Sequence, residues 1–157
     1  MVEPMTPGRA RGTAAVMAVA ILWIGMLLGV SFLATPVKFM APSLTLPVAL
    51  DVGRHTFAVF NKAEWLLSLL LLLAVFAGGR TRLNVAAVVV VIVLVAAETF
   101  WLLPPLDQRV GAIIAGQQPA PSNLHELYIG LEVAKLFVLI LVAFVTAKHL
   151  TAFKSSP

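Results

Sequence analysis

Four runs of apolar residues, near 14–35, 57–78, 83–103 and 125–147, confine this chain more than any other feature. A helix needs about 20 such residues to cross the roughly 30 Å of bilayer hydrocarbon, and each run is long enough. Backbone in lipid must pair within its own segment, so even the β-branched run Val88 to Val91 reads as helix. The expected fold is therefore all-α: an integral, multi-pass membrane bundle of four transmembrane helices in one domain over 1–157. Composition agrees, because 61% of residues are hydrophobic and only 11% charged, about half the charge of a soluble domain. Eleven Lys and Arg scattered among apolar runs form no basic face, which argues against nucleic acid as a partner. The first run is too long for a signal-peptide core, and Ala34-Thr35-Pro36 is a poor cleavage site, so it is read as a retained helix.

Gly78-Gly79-Arg80-Thr81-Arg82 is a short break that makes a hairpin of the second and third helices. The other connections, 36–56 and 104–124, are long and Pro-rich, and an antiparallel bundle puts both on one side. Arg9, Arg11, Arg80, Arg82, Lys148 and Lys154 flank the opposite side with only Glu3 against them. Cytoplasmic flanks are rich in Lys and Arg, so both termini and the short break are expected in the cytoplasm and the long loops outside. Trp65 and Trp101 then fall near the outer headgroups, where indoles are favoured. Gly25 and Gly29, at GxxxG spacing with Ala18 on nearly the same face, suggest close helix packing.

Counted outward from the cytoplasmic boundary, Glu64, Glu98 and Glu132 lie at one depth on three helices, and Lys135 lies a turn deeper. His125, Tyr128, Glu132 and Lys135 share a stripe of the fourth helix. Arg54, Asn61 and Ser68 recur every seven residues on the second, with Glu64 beside them and His55 and Lys62 on the adjoining stripe. Ionised groups facing lipid are costly, so these stripes are expected to meet in a polar cavity open to the outside and roofed by the Pro-rich loops. Two readings of that cavity stand open. In one, Glu132 pairs with Lys135 while Glu64 and Glu98 take Lys62 and Arg54, and the network fixes helix register. In the other, His55, His125, Glu64, Glu98 and Glu132 form a ligand shell or proton relay, with the three glutamates as metal ligands. His149 reads as a solvated flank. Absence of cysteine removes thiol, disulfide and thiolate–metal chemistry, and no phosphate loop, nucleophile elbow or HExxH motif occurs.

Trp23-x-Gly25, Ala34-Thr35-Pro36-Val37-Lys38-Phe39, Val52-Gly53-Arg54 leading to Phe57, and Leu124-His125 resemble the bacterial four-helix membrane proteins of the domain-of-unknown-function 4149 group. That group is similar to the eukaryotic transmembrane protein 205 family. The resemblance implies a four-helix protein of a bacterial inner membrane with no established reaction, occasionally linked to metal or drug handling; Asn61-x-x-Glu64 and Glu132-x-x-Lys135 lie outside its pattern. Asn61-x-x-Glu64 soon after Arg54 also looks like the trimeric membrane glutathione-transferase family, which would imply an enzyme. Phe57 stands where that family has an arginine, and the motif falls at the opposite face. A haem-binding bundle, with His55 and His125 as axial ligands, is a further reading.

The expected function is an outward-facing polar cavity that binds or passes a small cation, proton or small polar solute, rather than catalysis. The alternative is an accessory subunit of a larger membrane complex, and homo-oligomer or complex partners are expected beside the lipid bilayer. A metal ion or haem is the cofactor that these residues would accommodate.

Overall fold

A computed structural model describes residues 6–154 as four long helices, α1 (Pro7–Lys38), α2 (Leu46–Gly79), α3 (Arg82–Ile114) and α4 (Leu124–Lys154). Each is long and apolar enough to cross a membrane, and no strand occurs among the described residues. The first three contain 32, 34 and 33 residues. At about 1.5 Å per residue they reach roughly 50 Å, so each outruns the hydrocarbon layer.

Helix starts are punctuated by Thr and Pro. Thr6 is extended, its Oγ1 accepts from the Arg9 N–H, and Pro7 opens the first turn. Thr81 accepts from the Asn84 N–H at 3.0 Å in the same way. Thr45 is extended ahead of Leu46-Pro47. A side-chain oxygen satisfies a donor without an intrahelical partner, and a first-turn Pro has no such donor to lose. This chemistry lengthens the helices beyond the apolar runs. The connections expected over 36–56 and 104–124 shrink to 39–45 and 115–123, and the remainder is helical. Within α3, Pro104 and Pro105 lack the N–H groups that an α-helix would direct to the carbonyls of Phe100 and Trp101. They follow Glu98–Leu102, where the helix widens to i→i+5 pairing, a change that re-routes the bonds around the prolines. Similar wide turns occupy Leu28–Ala34 and Val75–Gly79.

Two close approaches fix alternating helix directions. At one end Gly12 lies against the bend, where an added Cβ would come within 2.7 Å of Gly78 Cα and 2.8 Å of Gly79 N. Gly78 has φ of 145°, a conformation that side chains rarely permit. At the other end the Lys38 ammonium rests against Gly53 of α2. The described termini and the bend therefore share one end, and the connections 39–45 and 115–123 share the other. Gly25 and Gly29, expected at a close interface, have open space beside them. Tight packing of α1 falls instead at Gly12, beyond the apolar run, where the sequence reads as a tail.

Trp23, Leu27, Leu71, Val91, Val95 and Leu139 fill the core between the helices. Leu22, Leu66, Val89, Phe137 and Phe144 point outward, as a lipid-facing surface requires.

Candidate functional site

Lys135 of α4 is wholly buried, and each of its three ammonium protons has a carboxylate to meet. Nζ lies 2.5 Å from Glu64 Oε1 on α2, 2.6 Å from Glu98 Oε2 on α3 and 3.0 Å from Glu132 Oε1 on its own helix. An ammonium has three donors and no acceptor, so this tripod saturates it. Helix α1 completes the shell: Trp23 Nε1 donates to Glu64 Oε1 at 3.2 Å, and Ser31 Oγ donates to Glu132 Oε2 at 3.0 Å. Two of the wide turns present these groups, since Ser31 lies in Leu28–Ala34 and Glu98 opens Glu98–Leu102. Widened turns of this kind recur at functional sites.

The balance of charge is uneven. Three carboxylates against one ammonium leave two negative charges unmatched when all are ionised, with every side chain at 0–1% exposure. Glu64 Oε2 and Glu98 Oε1 are buried without a hydrogen-bond partner, as are Asn61 Nδ2 and Ser68 Oγ. One turn from Glu64, Asn61 Oδ1 accepts from Thr99 Oγ1, which in turn accepts from Trp65 Nε1, each at 3.0 Å. Polar groups buried without partners carry a cost and mark places where a proton, water or ion belongs.

Two cavities lie at the end carrying the connections. The smaller, about 330 Å³, is lined by Ser31, Thr35, Phe57, His125, Tyr128 and Glu132 among others. The larger, about 520 Å³, shares Thr35, Phe39, Phe57, His125 and Tyr128 with it, and continues between α2 and the last turns of α3. Glu132 is thus reached from that end past Tyr128, whose ring meets Phe57 edge-on at a centroid distance of 5.1 Å. Helical arms, rather than loops, wall this approach: Leu103, Leu106, Val110 and Ile113 recur at helical spacing on one face of α3.

The three glutamates expected at one depth, Glu64, Glu98 and Glu132, converge on Lys135, expected a turn deeper. The three glutamates could each offer an oxygen within 4.8 Å of the others, and the Lys135 ammonium stands where an ion bridging all three would sit. Pairing differs from the register-fixing scheme, because Lys135 serves all three carboxylates. Arg54 turns instead to Asp51 at 2.7 Å and Asp107 at 3.8 Å, and Lys62 is exposed. His125 lines both cavities. His55 lines neither; its side chain is 70% exposed and Nδ1 lies 2.9 Å from the Asp51 carbonyl. It also stands ten residues into α2, because that helix starts at Leu46 rather than near 57. Trp23, Ser31 and Thr99 escape the sequence reading. A buried indole N–H needs an acceptor, and that signal at Trp23 could have pointed to a carboxylate.

The model for Domain of unknown function (DUF4149) matches residues 18–110. That stretch carries Trp23, Ser31, Glu64 and Glu98 and stops short of α4. No curated protein and no solved structure matches the chain. With more than half of its length matched by the family model, and four helices able to span a membrane, the chain is a multi-pass membrane protein that belongs to the DUF4149 family.

Proposed function

We propose that this protein takes up and releases protons at the Glu64–Glu98–Glu132–Lys135 centre, reached through the cavities beside Tyr128. The observation that carries the reading is the excess of two buried carboxylates over the one buried ammonium, together with the orphaned oxygens of Glu64 and Glu98. A net charge of that size is costly inside a bilayer. Two protons neutralise it without disturbing the Lys135 tripod, whereas a divalent ion bridging all three glutamates would have to displace that ammonium. Tyr128, His125 and Ser31 supply hydroxyl and imidazole groups along the approach to Glu132. Polar side chains of this kind inside membrane helices characteristically mark proton relays.

Infrared difference spectroscopy of the purified protein tests the reading. A protonated-carboxyl C=O band is expected at neutral pH, weakened in Glu98→Gln and absent when Glu64, Glu98 and Glu132 are all Gln. Glu126→Gln, on the exposed first turn of α4, should leave it unchanged. Absence of the band from the unaltered protein at neutral pH overturns the proposal.

The direction in which the centre opens follows from the basic flanks. Arg9, Arg11, Arg80, Arg82 and Lys148 lie toward the end of the bend, which we place in the cytoplasm, so the cavities face outward. Because the chain lacks cysteine, single cysteines report the arrangement. Ser43→Cys and Gln117→Cys should react with an impermeant thiol reagent in intact cells, and Arg80→Cys only after lysis. The opposite pattern would invert the bundle.

A further inference from the structure

We infer that the 520 Å³ cavity binds an amphipathic anion, its carboxylate or phosphate head held by Lys38 and its apolar body lying between α2 and α3. Lys38 and Gly53 touch none of the three buried glutamates, so the inference does not rest on the proton reading. The volume falls within the range of small-molecule sites. Leu50, Phe57, Leu106 and Val110 make its walls mostly apolar, which suits a hydrocarbon body and gives little to a sugar, nucleotide or hydrated ion.

The cations at its rim are not equivalent. Arg54 is held by Asp51 and Asp107, and the Arg109 guanidinium donates to the Ala120 carbonyl. No carboxylate among the described residues pairs with Lys38. Its ammonium lies over the rings of Phe39 and Phe57, at 5.0 and 5.8 Å from their centroids, and against the backbone at Gly53. Gly53 is buried, and a Cβ there would occupy the position of the ammonium. The missing side chain at 53 is what lets Lys38 lean into the cavity. A partly desolvated cation with aromatic neighbours and no counter-ion, at the rim of an apolar chamber, is the complement of a headgroup with an attached chain.

Such an anion could enter from water as a fatty acid or from the bilayer as an anionic phospholipid, and two probe sets separate these sources. Purified protein in an uncharged maltoside detergent is titrated with laurate, dodecanol and dodecylamine, and separately with phosphatidylglycerol and phosphatidylcholine, reading the unfolding temperature and the apparent Kd. Saturable stabilisation by laurate, by phosphatidylglycerol or by both supports the site and names its source. Lys38→Gln and Gly53→Ala should each weaken that binding at least tenfold, the first by removing the charge and the second by displacing it. Lys62→Gln, exposed and outside the cavity, should bind as the unaltered protein does. Glu98→Gln should bind normally as well, which separates failure here from failure of the proton centre. Equal binding of dodecanol and laurate, no binding of either anion, or unchanged affinity in both Lys38→Gln and Gly53→Ala would overturn the inference.

Discussion

Lys135→Met is expected to destabilise the bundle by about 3–5 kcal/mol, the usual consequence of removing one member of a buried ionic set. Methionine preserves most of the side-chain volume and removes the charge, so the loss reports electrostatics rather than a cavity. Glu64, Glu98 and Glu132 would then face one another with no cation between them, and Glu64 and Glu98 would keep only the Trp23 indole as a donor from the shell described. The quadruple variant, Lys135→Met with Gln at all three glutamates, should recover much of that stability, because no buried charge remains and neutral amides can exchange hydrogen bonds. Denaturation of the purified protein in graded dodecyl sulfate, followed by tryptophan fluorescence, gives the numbers. A quadruple variant no more stable than the sum of its separate substitutions predicts would show that the four side chains are not coupled.

Gly78→Val should cost about as much, for an unrelated reason. Its φ of 145° excludes a β-branched residue, and strain of this sort costs roughly 1–3 kcal/mol. The added Cβ would also come within 2.8 Å of the Gly8 carbonyl oxygen and 2.9 Å of Arg9 Cα, which are backbone atoms with little room to yield. Overpacking adds about another 1–3 kcal/mol. Gly12→Leu should do comparable damage from the opposite face of the contact, whereas Gly25→Leu, with open space at its Cβ, should fall within about 0.5 kcal/mol of the unaltered protein. The same dodecyl sulfate titration ranks the three. Equal tolerance at Gly12 and Gly25 would contradict the contact.

Much of this fold was legible in the sequence because lipid imposes a simple rule: a long apolar run has to be a helix, and its count follows directly. Depth was legible too. Counting from the basic flanks put Glu64, Glu98 and Glu132 at one level, and the structure joins them through Lys135. Pairing was not, since sequence spacing supplies the near neighbour of Lys135 at i−3 but is blind to which glutamates rotate toward it from other helices. Helix ends are less legible. Proline punctuation at Pro47, Pro104 and Pro105 looks like loop when prolines are taken as breakers, yet each falls in a first turn or behind a widened one. His55 shows the same effect: a helix beginning near 57 would make it a gatepost, whereas the start at Leu46 sets it well inside α2. For Gly25 and Gly29 the GxxxG spacing was real, and its face is turned outward from the bundle.

The tripod also has a chronology. Glu98 precedes Lys135 by 37 residues and Glu64 precedes it by 71. At about 5–20 residues per second of synthesis, Lys135 is made roughly 2–7 s after Glu98. Glu64 and Glu98 precede α4 in the chain, and only the arrival of that last helix supplies the lysine that joins them. A chain halted before α4 therefore keeps two acids without the ammonium that joins them in the finished bundle.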